Sequence, residues 1–253
     1  MHNFGRPPNF MENWFVSWFN SPYYHILYKN RDESEAAAFV QRLGNHLSLP
    51  HGSKVLDLAC GKGRHSAQLR KFGFEVIGID LSDESIASAK EEFEQDGLEF
   101  YEHDMRELYW SEYFDLVVNL FTSFGYFHSV EDDQKTISSV ADSMKPGGLL
   151  VIDFLNAVKV KANLVEEETK TIDGVTFDLN RSVESGIIKK QIRVVDGQVE
   201  LEFEEKVDAL ELDDFKLYFD RAELELIETF GDYNLNPFDE NESNRLIMIC
   251  RKG

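Results

Sequence analysis

Two glycines and two carboxylates carry the clearest chemistry in this chain. Gly61 and Gly63 flank a lysine directly after the apolar run Val55-Leu56-Asp57-Leu58-Ala59-Cys60, and Val76-Ile77-Gly78-Ile79-Asp80 follows. Such an arrangement reads as strand, Gly-x-Gly turn, helix and second strand, the nucleoside-binding half of a doubly wound sheet. Glycines let the backbone approach a bound molecule closely, and an acid at the tip of the second strand suits the two hydroxyls of a ribose. Asp80 stands close to the interval of about 20 residues expected for that role, with Leu81 beside it. Asp57 is a carboxylate inside an apolar strand, where burial is costly unless it is paired or hydrogen-bonded. It either meets a ligand or ties down its own loop.

Three cofactors compete for such a turn. A P-loop requires Gly-Lys-Ser/Thr, whereas Gly63 is followed by Arg64-His65. A dinucleotide site usually has a third glycine three residues after the second, and here that residue is Ser66. S-adenosylmethionine lacks phosphate and ends in a zwitterion whose ammonium needs an acceptor such as Asp57.

On these residues the chain resembles the class I S-adenosylmethionine-dependent methyltransferases. Phe100-Tyr101-Glu102-His103-Asp104-Met105 looks like that family's third strand and following loop, Phe114 to Leu120 its fourth strand, and Lys145 to Ile152 the turn and fifth strand. The resemblance covers residues 35 to 156 well and the tail more loosely. It implies that Asp57, Gly61 and Gly63 hold the methionine end, Asp80 the ribose, and Asp104 with Met105 the adenine. After the fourth strand comes Asn119-Leu120-Phe121-Thr122-Ser123-Phe124-Gly125-Tyr126-Phe127-His128. Asn119 could offer an oxygen near the cofactor. The Asn/Asp-Pro-Pro-Tyr motif common in DNA and protein N-methyltransferases is absent. The segment is instead similar to small-molecule members acting on sugar or metabolite amines and hydroxyls. His128 is a candidate general base, set against the plain reading of a solvated histidine before a helix cap.

Composition narrows the partners. The chain has 253 residues, 42% of them hydrophobic, enough for one α/β domain with an elaboration. Its 47 acidic against 26 basic residues give a net charge of −21, which argues against a nucleic-acid substrate. The two cysteines, Cys60 and Cys250, suggest no disulfide framework. No run approaches the ~20 apolar residues of a membrane span, and the N-terminus lacks a secretory signal pattern. A cytoplasmic protein with a small-molecule acceptor, no membrane partner and no metal site is expected.

The positioning elements follow from periodicity. Phe10, Trp14, Phe15, Trp18, Phe19, Tyr23, Tyr24 and Tyr28 crowd the N-terminus, with Trp14, Phe15, Trp18 and Phe19 on one helical face. This segment is either a helix pinned to the core or a lid over the site mouth, and the resemblance favours a lid. Within it Tyr28 and Arg31 could offer a hydroxyl and a guanidinium to the cofactor carboxylate, and Tyr28 joins His128 as a candidate catalytic group. Helices are expected from Asp32 to about His46, from Arg64 to Phe72, from a cap at Ser82 to Gly97, from a cap at Ser129 to Met144, and from Asp213 or Asp214. Asp173-Gly174, Ser185-Gly186 and Asp196-Gly197 are hairpin signals separating runs at 176–179, 187–192 and 199–203. Leu224–Ile227 and Arg245–Cys250 read as closing strands, and the loop from Gly231 to Asp239 as a candidate pocket wall.

The expected architecture is a doubly wound, mostly parallel seven-stranded sheet of Rossmann-like type with a small inserted antiparallel sheet. The expected divisions are an aromatic lid (1–33), a cofactor-binding core (34–160), the insertion (161–210), which could form a homodimer contact, and a C-terminal part (211–253) that completes the main sheet. The rival functions are a non-catalytic S-adenosylmethionine-binding regulator and, with less support, a nicotinamide-dependent oxidoreductase.

Overall fold

The computed structural model describes residues 14–29 and 33–253; Phe10, Arg31, Asp32 and the side chains of Trp14 and Phe15 lie outside the described residues. Seven strands form the main sheet: β1 (Lys54–Leu58), β2 (Glu75–Asp80), β3 (Leu98–Glu102), β4 (Phe114–Asn119), β5 (Met144–Leu155), β10 (Leu224–Phe230) and β11 (Arg245–Lys252). Their order is β10-β11-β5-β4-β1-β2-β3. β1 to β5 are parallel, and β11 runs antiparallel to both β5 and β10. The order reverses at β1, which has β2 on one side and β4 on the other. A crevice therefore opens at the carboxyl ends of these three strands, where open α/β sheets bind ligands.

The near-continuous apolar runs of β1 and β4 follow from burial on both faces. Leu56, Leu58 and Val117 pack with Ile137 and Val140 of α6 (Val130–Ser143) and with Phe215 and Phe219 of α8 (Leu212–Arg221). Val55, Leu116 and Val118 point the other way, onto Phe39 and Leu43 of α3 (Glu33–Leu47), Ala67 and Leu69 of α4 (Arg64–Phe72), and Ile86 and Ala89 of α5 (Asp83–Phe93). Ser82 caps α5 by accepting from Ser85 N at 3.1 Å, and Ser129 caps α6 by accepting from Asp132 N at 3.2 Å. Two boundaries differ from the sequence expectation. α5 stops at Phe93 because Glu94 turns extended, and Lys145-Pro146-Gly147-Gly148 lies within β5 as an irregularity against Phe114–Leu116 rather than as a separate turn.

The second sheet is a four-stranded antiparallel meander of β6 (Glu167–Ile172), β7 (Val175–Glu184), β8 (Ile187–Asp196) and β9 (Val199–Asp208). Asp173-Gly174 and Ser185-Gly186 both place two residues at positive φ, as a type I′ turn requires. The third turn sits one residue later than expected. Asp196 pairs with Val199, and Gly197 alone takes positive φ, the pattern of a II′ turn with glycine first. β6, EETKTI, is almost entirely polar and carries no strand pattern in the sequence; it is an exposed edge strand.

The N-terminal helices α1 (Trp14–Phe19) and α2 (Pro22–Leu27) rest on this second sheet. Trp18 is fully buried with Phe177, Leu179, Ile192 and Val194. Its indole N–H donates to Glu205 at 2.6 Å. Pro22 and Ser21 start α2 as first-turn proline and N-cap, Ser21 Oγ accepting from Tyr23 N at 3.2 Å.

Below the cofactor turn, Phe100 of β3 fills the space that a Cβ on Gly63 or Gly78 would occupy, 2.7 Å from its ring atoms in each case. Phe100→Ala is expected to cost about 3–5 kcal/mol, as cavity-forming Phe truncations do, measured by urea unfolding.

Candidate active site

The carboxyl ends of β1, β2 and β4 open into a cavity of about 510 Å³, within the usual range for small-ligand sites. Its floor is the turn after β1. Ala59, Gly61 and Gly63 all take positive φ there, and nothing lies within 4 Å of where a Gly61 Cβ would stand. Gly61 N–H donates to Asp80 Oδ2 at 2.9 Å and Ser82 N–H to Asp80 Oδ1 at 2.8 Å. Each oxygen keeps a further lone pair, so the Asp80 carboxylate stands preset on the cavity wall with Leu81 beside it.

Asp57 lies one layer beneath, 2% exposed, and accepts from Ser66 Oγ at 2.5 Å. Burial raises its carboxyl to about 7 against the opposing pull of Ser66. Ser66, at the position where a dinucleotide site has its third glycine, is thus the partner of that acid. Asn119 closes β4 beside it, donating from Nδ2 to the Leu58 carbonyl at 2.9 Å while its Oδ1 is buried with no partner. A buried acceptor with no donor is costly. Neither Asp57 nor Asn119 lines the cavity; both lie buried beneath it.

Asp104 and Met105 line the far wall. Arg106 grips Asp104 in a fork, Nε to Oδ1 at 3.0 Å and Nη2 to Oδ2 at 2.6 Å, and holds its carboxyl below the usual range. Arg106 also donates to Asp132 at 3.0 Å and covers the Phe127 ring at 4.5 Å. This clamp was not foreseen, since nothing in the spacing distinguishes Arg106 from a solvated arginine.

Two candidates are placed differently from expectation. Tyr28 lines the cavity with its ring, but its hydroxyl donates to Glu205 at 2.7 Å and meets the Lys190 ammonium. The hydroxyl expected to serve a ligand is therefore held by the second sheet. His128 takes positive φ, and its Nδ1 faces Asp208 Oδ1 at 2.7 Å, outside the cavity lining; the turn before α6 aims its ring at the end of β9. The loop from Gly231 to Asp239 supplies no cavity residue either. Its Tyr233 packs on Phe39 at 4.7 Å and donates to Asp153 at 3.0 Å, so the loop braces the carboxyl end of β5 instead of walling the cavity.

Arg64 and His65 are wall residues that the spacing does not single out, whereas Phe121 belongs to the segment after β4 already expected at the site. Arg64 covers the Phe121 ring at 5.1 Å. His65 lines the cavity as neutral imidazole, burial and the neighbouring Arg64 driving it down to about 3. Phe121 and Thr122 take consecutive positive φ values of 69° and 60°, a strain of order 1–3 kcal/mol each for such residues.

The raised Asp57 carboxyl has a consequence for stability. Folded protein holds a proton up to about pH 7 that the unfolded chain releases near pH 4. Stability therefore falls as pH rises through that window. Asp57→Asn should remove this slope: urea midpoints of variant and parent are expected to lie closest near pH 4 to 5 and to diverge by pH 8, with the variant more stable. Asp133, also raised to about 7, is common to both proteins and cancels in the difference.

A family model described as a methyltransferase domain matches residues 49–213. A putative methyltransferase of Geobacillus sp. (strain WCH70) is 27% identical over 226 residues, covering 85% of this chain and 91% of that one. A dTDP-3-amino-3,4,6-trideoxy-alpha-D-glucopyranose N,N-dimethyltransferase of Streptomyces venezuelae is 31% identical over 104 residues, 41% of this chain and 43% of the relative. Against relatives of this second kind the chain matches less than half of their length. The crystal structure of an S-adenosylmethionine-dependent methyltransferase from Clostridium acetobutylicum ATCC 824 superposes with a TM-score of 0.77 at 22% identity, covering 91% and 96% of the two chains. The chain belongs to the methyltransferase domain family, on the Rossmann-like fold of the S-adenosylmethionine-dependent class I enzymes.

Proposed function

We propose that this methyltransferase uses S-adenosylmethionine to methylate a nitrogen or oxygen of a small-molecule acceptor. The observation that carries this reading is the Asp80 carboxylate, fixed by the Gly61 and Ser82 N–H groups on the wall of a cavity whose floor has room above Gly61. A ribose diol would take the remaining lone pairs of Asp80. Beneath the turn and outside the cavity lining, the unpartnered Asn119 Oδ1 and the buried Asp57 turn acceptor dipoles toward this end of the sheet, which favours an ammonium above them. Gly63 opens α4 without a side-chain cap, leaving first-turn N–H groups for a carboxylate. Asp104, held ionised by Arg106, and Met105 suit an adenine amino group and ring.

When bound, S-adenosylmethionine would supply an electrophilic methyl on a sulfonium, with a neutral thioether as the leaving group and the acceptor's proton passing to solvent. The protein's contribution is alignment and exclusion of water. Phe19, Tyr24 and Tyr28 from the N-terminal helices and Tyr126 and Phe127 from the loop after β4 wall the acceptor side. An apolar, aromatic enclosure of that kind suits a small acceptor rather than a polymer. The net charge of −21 points the same way, as does the aminosugar acceptor in the name of the Streptomyces venezuelae relative.

Calorimetric titration with S-adenosylhomocysteine, with NAD as comparison, tests the reading. Micromolar binding of the former alone is expected, and Asp80→Ala should weaken it by about 1–3 kcal/mol, the usual range for hydrogen bonds to a charged group. Binding of NAD, or of neither, overturns the cofactor; unchanged affinity in the variant overturns the ribose role. Tight binding without methyl transfer to any member of a broad amine and hydroxyl panel would favour a regulator instead.

A further inference from the structure

Asp153, near the end of β5, is 1% exposed and serves four hydrogen bonds. Its Oδ2 accepts from Phe121 N at 2.9 Å and from the Tyr233 hydroxyl at 3.0 Å, its Oδ1 accepts from Arg245 Nε at 2.7 Å, and its carbonyl accepts from Thr122 N at 2.9 Å. Arg245, the first residue of β11, reaches past Asp153 to donate from Nη2 to Thr122 Oγ1 at 2.9 Å. The same turn is thus gripped by both main-chain N–H groups and by a side chain. It is also where two successive non-glycine residues take positive φ, and a β-branched residue such as Thr122 is a genuine outlier there. Strain of this kind persists only where the surroundings over-determine it.

What the strain achieves is visible at the cavity. Phe121 lines it between Leu120 and Ser123, with the Arg64 guanidinium over its ring at 5.1 Å and the His65 ring at 6.3 Å. Both of these partners lie at the start of α4, directly after Gly63. Relaxed to ordinary negative φ, the turn would swing Phe121 off this face.

We propose that Arg245 is a positioning residue: its fork across Asp153 and Thr122 holds the Phe121–Thr122 turn in its strained form and so builds the cavity wall beside the Gly61–Gly63 turn. Lysine at 245 could pair with Asp153 but offers a point charge, not two donors in fixed directions. Glycine at 122 accepts positive φ without external restraint. The two substitutions therefore have opposite effects on one quantity.

The experiment compares Arg245→Lys, Thr122→Val, Arg245→Lys/Thr122→Gly and the parent by amide hydrogen exchange and by calorimetric titration with S-adenosylhomocysteine. Arg245→Lys and Thr122→Val, which removes only the hydroxyl acceptor, should each speed exchange at Phe121 and Thr122. Each should also weaken binding by about fivefold or more, the factor to which the lower end of the strain range for one such residue converts. The double variant should bind more tightly than Arg245→Lys alone, because glycine removes the strain at 122 while that at Phe121 remains, a recovery that general damage to the fold would not produce. Unchanged exchange in both single variants, or a loss that glycine does not lessen, overturns the proposal. The affinity readout rests on the cofactor reading above and the exchange readout does not. A parent that fails to bind the ligand would therefore refute the cofactor while exchange still decides the role of Arg245.

Discussion

The site depends on how closely three chain segments can approach one another. The Phe100 ring lies against Gly63 and Gly78, and Cys60 Sγ stands 2.9 Å from where a Gly78 Cβ would be. Main chain is thereby packed against side chain with no intervening Cβ. β2 can sit beside β1 with Asp80 at the height of Gly61, and the turn can bend over the sheet edge. Removing one methyl's worth of space at either glycine would push the turn away from the carboxylate that anchors it. The hydrogen bond from Gly61 to Asp80, the cavity above and the approach of α4 all follow from this contact.

Much of this was legible in the chain. Gly-x-Gly between apolar strands, the acid at the end of the second strand and the alternation of helix and strand express backbone requirements directly, so the sheet and the turn that sets Gly61 beside Asp80 follow from local pattern, while Asp104 and Met105 were reached only through the family resemblance. Hairpin turns were legible for the same reason, because Asp-Gly and Ser-Gly meet the need for positive φ. The slip at Gly197 shows the limit: Asp-Gly and Gly-Gln both fit a two-residue turn, and the register of ten cross-strand pairs between β8 and β9 selects the second.

Other features could not be read this way, because they are made by residues far apart. Arg106 looks like any surface arginine until the loop folds it onto Asp104. Phe121 and Thr122 carry no local preference for positive φ; Asp153 and Arg245 impose it across the sheet. Tyr28 and His128 have suitable chemistry in a suitable stretch of sequence. Glu205 and Asp208, both near the end of β9, bind them instead. Side-chain commitments of this type are settled by tertiary pairing, which periodicity does not encode.

The seating of Trp18 bears on how the molecule is made. Its N–H bonds Glu205, 187 positions later, and its ring is buried by β7 and β8. During synthesis α1 and α2 leave the ribosome before the surface that receives them, which is complete only after β9 has emerged. An aromatic segment must therefore wait through translation of the 187 positions between Trp18 and Glu205, while the parallel core can begin to assemble without it. The wall formed by Phe19, Tyr24 and Tyr28 is then among the last parts of the cavity to settle, and its long sequence separation makes that step slow relative to the local hairpins.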